Sequence, residues 1–162
     1  MPSAADRDNE PIVVRLAEIT SPRAAMMARL WLEPELAGHA SIHAAPRHLT
    51  EARRIANGMR TAANWAEREQ LDLRLDELIA VTSGSPLLAE LHRIMNAVRD
   101  LVVLSSLEIP QDRPSPDRHS FAEHDEIIAA LERRDRWAVH AAMREHLKHR
   151  THDASEGRLT RD

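Results

Sequence analysis

The chain has 162 residues, a net charge of −4 and no cysteine. This length fits one domain, and the lack of cysteine excludes disulfides and thiolate metal sites. Acidic and basic residues are interspersed, so no basic surface of the kind that contacts nucleic-acid phosphates is predicted. No secretory signal is present, and no apolar run approaches the roughly 18 residues that span a bilayer. We therefore expect a soluble, cytoplasmic protein that does not contact a membrane.

The composition and the spacing of apolar residues both favour helices. Hydrophobic residues make up 43% of the chain but aromatic residues only 2%, so the core must consist mainly of aliphatic side chains. Apolar residues recur at intervals of three and four. Six main helices are predicted, over about 22–45, from 46 onwards, over about 66–82, from 86 to about 107, over about 115–134, and from 135 to about 152. Short links between them indicate an all-α, antiparallel bundle of six to seven helices.

Turn-forming residues mark the boundaries between these helices. Gly84 can end one helix, Ser85 and Pro86 can cap and start the next, and Asp135 is a predicted N-cap. The proline-rich segment "EIPQDRPSPDR" is typical of a surface loop. We expect an N-terminal linker or tail over 1–21, a ligand-binding domain over 22–152 and a C-terminal tail over 153–162. Within the first tail, "PIVVRLAEI" could form a short helix or strand.

Four potential metal ligands lie on or beside the apolar faces of three predicted helices. Asp72 and Asp76 are one helical turn apart, and His124 and His146 each align with apolar residues at helical spacing. Ionised carboxylates are costly to bury without a partner, and a cation between them and the imidazoles would resolve that cost. Two carboxylates and two imidazoles suit zinc, manganese, nickel or ferrous iron.

Each of these residues also has a simpler explanation. An Asp pair with this spacing is often a solvated face, and a histidine on an apolar stripe is often a hydrogen-bonded core residue. Two further histidine pairs have chelating spacing, but ten histidines produce such pairs by chance; they are His39 with His43 and His149 with His152. Four others are expected at the surface or behind the ligands, namely His48, His92, His119 and His140.

Arg29 is predicted at the centre of the apolar face of its helix. A guanidinium keeps its charge, so burial requires an anion. That anion is Glu33, another internal carboxylate, or an acidic ligand in a cavity. No nucleophile with an adjacent base, phosphate-binding glycine loop or di-iron signature is present, so we predict no catalytic residues and no enzyme activity.

Three segments carry a resemblance to a known family. The segments "ARLWLEPELAGHA", "LDLRLDELIAVTSGSPLLAEL" and "EHDEIIAALERRDRWAVHAAMREHL" together resemble the FCD domain, the C-terminal effector-binding domain of FadR-subfamily GntR transcription regulators. The resemblance covers about residues 22–150. It implies a bundle of six or seven helices, a divalent metal held by one Asp and three His, and a small carboxylate effector bound against the metal and an arginine. By position, the resemblance assigns the ligands to Asp72, His124 and His146 and the arginine to Arg29.

Two positions depart from the family pattern. Asp76 stands where the pattern "D-x-x-F-H" has a histidine, and it is the predicted fourth metal ligand. An oxygen-rich shell of this kind favours manganese, iron or magnesium relative to zinc; alternatively, Asp76 marks a weakened or lost metal site. Ser85 replaces the asparagine of the family's "SGNP" turn and is the predicted ligand-contacting residue there.

The resemblance also implies how such a domain would work. Family regulators carry an N-terminal winged helix-turn-helix domain, which the residues before about 22 are too few to form. We therefore expect DNA contact only through a domain absent from this chain, and we expect a homodimer. The chain would be a regulator's C-terminal half or a stand-alone sensor. Two other functions stay open, a small metal-dependent enzyme whose metal-bound water acts on a carboxylate, and a metal-free dimerisation bundle.

Overall fold

The structure is a computed structural model that describes the backbone of residues 4–103 and 119–155, with side chains over 11–103 and 120–151. These ranges contain seven helices and no strand, which confirms the predicted all-α class. The helices are α1 (Ala4–Ile19), α2 (Pro22–His43), α3 (Pro46–Thr61), α4 (Trp65–Thr82), α5 (Pro86–Val102), α6 (His119–Glu132) and α7 (Arg136–Ser155).

Helices α2 to α5 and α7 begin at residues that favour a helix start. Proline occupies the first turn of α2, α3 and α5, where its missing N–H costs nothing. The predicted caps are confirmed at two helices: Ser85 Oγ accepts from Leu88 N at 3.4 Å, and Asp135 Oδ1 accepts from Ala138 N at 3.0 Å. Asn64 caps α4 in the same way, with Oδ1 2.9 Å from Glu67 N.

Two residues with positive φ end helices. Gly84, with a φ of 84°, follows α4 as predicted. Arg134, with a φ of 55°, follows α6, where Asp135 N donates to Ala130 O in the bonding pattern of a Schellman motif. The Arg134 guanidinium also donates to backbone carbonyls at the end of α2, including Ala44 O at 2.8 Å. The turn between α6 and α7 is thus tied to the end of α2.

Helix α2 lies at the centre of the bundle and packs against α4, α5, α6 and α7. Helix α3 packs against α4 and α6. Glu35 of α2 contacts His140 of α7, and Gly38, further along α2, lies next to Arg136, which comes earlier in α7. The two helices are therefore antiparallel. The core between the helices is aliphatic, as the composition predicts, and includes Ile55, Met59, Leu75, Ile127, Ile128, Met143 and Leu147.

Helix α5 buries polar residues and exposes apolar ones. His92, Asn96 and Arg99 follow one another at intervals of four and three and are all buried. Leu87 and Leu91, one turn apart, are 69% and 47% exposed. The side of α5 that faces the bundle therefore carries three polar residues beside the apolar Val98.

Residues 4–19, expected to belong to a tail, form α1. Among the described residues, α1 packs only against α5. Helix α7 extends three residues beyond the predicted end at 152. The division into tails and a domain stays a prediction. The predicted end of the fourth helix near 107, the proline-rich loop and the start of the fifth helix near 115 lie outside the described residues. None of the described helices has the length and apolarity needed to cross a membrane.

Candidate functional site

Three of the four predicted metal ligands form a group in the interior of the bundle. Asp72 of α4, His124 of α6 and His146 of α7 each offer a ligand atom, and these atoms all lie within 4.8 Å of one another. The side chains of all three are at most 3% exposed. His124 Nε2 lies 2.8 Å from Asp72 Oδ1, and the two imidazole ring centres are 4.7 Å apart. A divalent ion between three such ligands is a geometry that protein metal sites use.

The hydrogen-bonding state of these atoms fits a metal. Among the described residues, Asp72 Oδ1, His124 Nε2 and His146 Nε2 have no hydrogen-bond partner with acceptable geometry, although they are buried. Buried polar atoms are nearly always paired, so three such atoms in one group call for a bound ligand. One carboxylate oxygen and two imidazole nitrogens are donors that transition metals accept.

A carboxylate behind His146 sets the orientation of its ring. Glu123 Oε2 lies 2.6 Å from His146 Nδ1, and Oε1 of the same carboxylate lies 2.6 Å from His149 Nδ1. A carboxylate at Nδ1 keeps the proton on that nitrogen and leaves the Nε2 lone pair free for a metal. Burial lowers the pKa of His146 to about 4, against the opposing effect of Glu123, so the imidazole is neutral at pH 7.

Arg150 of α7 neutralises the Asp72 carboxylate. Its Nη2 atom lies 3.1 Å from Asp72 Oδ2 and 3.0 Å from Glu69 Oε2. Burial acts to raise the pKa of Asp72, but Arg150 and then His124 outweigh it and hold that pKa well below its ordinary value. One oxygen of Asp72 thus contacts a guanidinium, while the other faces the imidazoles.

Arg29 of α2 is fully buried, as predicted, and its partners are internal carboxylates. Glu33 contacts it at two positions, with Nε–Oε1 at 2.7 Å and Nη2–Oε2 at 3.0 Å, and Asp76 Oδ2 lies 2.6 Å from Nη2. Burial acts to raise the pKa of Glu33, but Arg29 outweighs it and lowers that pKa to about 2. Burial and the neighbouring Glu33 raise the pKa of Asp76 well above its ordinary value.

Asp76 therefore lies beside Arg29 in the structure, one turn from Asp72, and is not among the residues whose ligand atoms converge. Its assignment as a metal ligand stays a prediction. The hydroxyl of Ser85 is used in the cap of α5, and its assignment as a ligand contact also stays a prediction.

The remaining histidines do not form further metal groups among the described side chains. His43 Nδ1 lies 3.0 Å from the backbone oxygen of His39. The buried His92, expected at the surface or behind the ligands, has Nε2 3.3 Å from Glu33 Oε1. His48 contacts Ala45 N, and His140 contacts Glu35. The side chains of His119 and His152 lie outside the described residues.

Three other buried arginines and Glu123 were not predicted from the sequence. Arg68, Arg99 and Arg150 are at most 3% exposed. Arg68 contacts Glu69 and Ser120, and Arg99 contacts Asp100. The signal for two of them was present, because Arg68 lies one turn before Asp72 and Arg150 one turn after His146 on the same helix faces.

A cavity of about 610 Å³ opens between α4 and α5. Glu77 and Ala80 of α4 and His92 of α5 form part of its wall. Since His92 also contacts Glu33, which pairs with Arg29, the cavity lies next to the Arg29 cluster.

The FCD domain family model matches residues 24–149. The chain belongs to the FCD domain family. No curated protein matches this FCD domain. Its fold is similar to that of the solved structure of Escherichia coli McbR/YncC, with a TM-score of 0.66 and 18% sequence identity. The match covers 82% of this chain and 63% of McbR/YncC, so the FCD domain described here spans less than two thirds of that relative.

Proposed function

We propose that this FCD domain is the effector-sensing and dimerisation domain of a GntR-type transcription regulator, and that it binds a small carboxylate at a divalent metal. The observation that carries the proposal is the group of three buried ligand atoms without hydrogen-bond partners, contributed by α4, α6 and α7. Membership of the FCD family and the McbR/YncC-like fold support the regulatory role.

Asp72, His124 and His146 would hold the metal, and the candidates are zinc, manganese, nickel and iron. A bound metal would supply a Lewis acid for the effector's carboxylate. The protein's own side chains prepare this site: Glu123 orients the ring of His146, and Arg150 balances the charge of Asp72. Both arrangements are already present in the described structure.

The charges around the site favour sensing over catalysis. A metal-dependent hydrolase would need a free general base beside the metal. Each of the described carboxylates around the metal group contacts a guanidinium or an imidazole: Asp72 and Glu69 contact Arg150, Glu33 and Asp76 contact Arg29, and Glu123 contacts His146.

The predicted homodimer has support from the surface of α5, where Leu87 and Leu91 are largely exposed and one turn apart. Exposed apolar side chains in contact with one another often mark protein interfaces. DNA would be contacted through a winged helix-turn-helix domain outside this chain, consistent with the 63% of McbR/YncC that the match covers. Effector binding would then change DNA affinity by favouring one arrangement of the helices over another.

The test is metal analysis of the purified protein by mass spectrometry beside Asp72→Ala and His124→Ala. About one equivalent of a divalent transition metal is expected in the wild type and none in either variant. His140→Ala, which changes a partly exposed histidine on α7, is the control and should keep its metal. A wild type that neither contains nor takes up metal would contradict the proposal. Thermal shift with a panel of small carboxylic acids would then identify the effector class.

A further inference from the structure

The cavity between α4 and α5 is large enough for a small molecule. Its volume of about 610 Å³ lies in the range of ligand pockets in proteins. Ala80 and His92 are the two buried residues of its wall, so they form its inner end. None of the wall residues belongs to the metal group of α4, α6 and α7. The cavity is therefore separate from the candidate metal site.

The inner end of the cavity presents a hydrogen-bond acceptor that lacks a donor. His92 is 1% exposed, and its Nε2 atom lies 3.3 Å from Glu33 Oε1. Glu33 is ionised at neutral pH and can only accept, so Nε2 carries the proton of the neutral imidazole. Asn96 Nδ2 also approaches Nε2 at 3.3 Å, but a carboxylate is the stronger partner. Nδ1 of His92 is then an acceptor, and it has no hydrogen-bond partner among the described residues.

The charges on the wall of the cavity favour a cation. Glu90 and Arg93 pair with each other, with Oε1 2.7 Å from Nη2, so their charges cancel. Glu77 forms no ion pair among the described residues, which leaves one negative charge on the wall. The rest of the wall is largely apolar and includes Ala80, Val81, Pro86 and Ala89.

The start of α5, beside this cavity, does not favour an anion. Pro86 has no N–H group, and Leu88 N and Ala89 N bond to Oγ and to O of Ser85, at 3.4 and 3.0 Å. Two of the backbone donors that bind anions at other helix starts are thus used within the cap, and a third is missing. An ionised carboxylate also has no proton to donate to Nδ1 of His92.

We propose that the cavity between α4 and α5 is a second ligand site, which binds a small organic ammonium ion. An N–H group of the ion donates to Nδ1 of His92, and the carboxylate of Glu77 attracts its charge. A short alkyl chain on the ion contacts the apolar part of the wall. The proposal does not rest on the proposed function, because the two sites share no residue and their ligands have opposite charges.

Three probes of matched chain length test this site, namely n-butylammonium, n-butyltrimethylammonium and n-butyrate. The second has the same charge as the first but no N–H group, and the third has the opposite charge. Titrations of the nitrogen-15-labelled full chain in EDTA at pH 8, where histidine is ordinarily neutral, would follow the Nδ1 signal of His92 and the amide signals of Gly84 and Ala89. At these signals n-butylammonium should bind at least about tenfold more tightly than either other probe.

Three variants separate the contributions to binding of n-butylammonium. His92→Phe keeps a ring but removes Nδ1, and should weaken binding at least about tenfold. Glu77→Gln should weaken binding about threefold, as expected for an exposed ion pair. Ala89→Leu fills the cavity, leaves both polar groups in place, and should abolish binding. Glu126→Gln, which changes an exposed carboxylate on α6, is the control and should bind as wild type does. Thermal melting confirms that each variant is folded.

Several results would overturn the proposal. They are signals that do not change with n-butylammonium, equal affinity for the three probes, tighter binding of n-butyrate, and wild-type affinity in His92→Phe or Ala89→Leu. Replacing EDTA by a divalent metal should leave the affinity for n-butylammonium unchanged. A wild type that takes up no metal contradicts the proposed function alone, since the ammonium titration does not require a metal.

Discussion

The Nδ1 atom of His146 lies 2.6 Å from the Oε2 atom of Glu123, so a carboxylate from α6 holds the ring of a candidate metal ligand on α7. Partners of this kind set the tautomer and the direction of the coordinating nitrogen. The Nε2 atom of the same ring has no hydrogen-bond partner among the described residues. The metal affinity of this FCD domain should therefore depend on a residue that does not touch the metal.

Glu123→Ala should weaken metal binding by about 10- to 100-fold, because the His146 ring loses its orienting acceptor. Glu123→Gln should lose less metal affinity than Glu123→Ala, since an amide oxygen can still accept a hydrogen bond from Nδ1–H of His146. Competition titration against a chromogenic chelator would measure both. Glu145→Ala serves as the control, because Glu145 is exposed on α7 and pairs with Lys148. Unchanged affinity in Glu123→Ala would contradict the assigned role.

Arg150→Met should destabilise the metal-free protein by about 3 kcal/mol, because the buried carboxylate of Asp72 loses its guanidinium partner. Glu69 also loses a contact but keeps that with Arg68. With saturating metal the loss should be smaller, since the metal compensates Asp72 instead. Urea unfolding in EDTA and in nickel would measure both values. An equal loss in the two conditions would show that Arg150 and the metal do not share Asp72. Arg133→Met, which changes an exposed arginine paired with Glu126, should be close to neutral in both conditions.

The Glu33–Arg29 pair should make the free energy of unfolding depend on pH under acidic conditions. The pKa of Glu33 falls from its ordinary 4.5 to about 2 in the folded protein. A carboxyl group with a lowered pKa stabilises the fold fully above pH 4.5, and this contribution is lost as pH falls through 2. It amounts to about 3 kcal/mol at neutral pH. Glu33→Gln should therefore be destabilised most at pH 7, and its difference from wild type in urea unfolding should shrink between pH 4.5 and 2. A difference independent of pH would contradict the lowered pKa.

The left-handed backbone conformation of Arg134 should lower the free energy of unfolding. With a φ of 55°, a residue that has a Cβ is strained there by about 1 kcal/mol, and glycine is not. Arg134→Gly and Arg134→Ala both lose the guanidinium contacts to the end of α2. Arg134→Gly should therefore be more stable than Arg134→Ala by about 1 kcal/mol in urea unfolding. Equal stability of the two variants would show that the turn adopts another conformation in solution.

Helix positions could be predicted from the sequence because they depend on local signals. The spacing of apolar residues, the prolines at 22, 46 and 86, and the caps at Ser85 and Asp135 predicted the starts of most helices to within a residue or two. The burial of Asp72, Asp76, His124 and His146 followed from the same periodicity. These features need no knowledge of which helices are neighbours.

The partners of the buried charges could not be predicted in the same way. From the sequence, the anion that pairs with Arg29 could be Glu33, another internal carboxylate or an external acid. In the structure Glu33 and Asp76 both contact it. Asp76 is on a different helix, and helical spacing does not determine how α4 is rotated against α2. The contact of Arg150 with Asp72 is equally non-local, since it joins α7 to α4.

The buried polar residues of α5 connect the interior of the bundle to α1. His92, on the buried side of α5, contacts Glu33, which holds Arg29, while α1 rests on α5 and on no other described helix. Arg29 is thus connected to α1 through its contact with Glu33, the contact of Glu33 with His92, and the packing of α5 against α1. Any movement of Glu33 would therefore reach α5 through His92, and α1 would move together with α5.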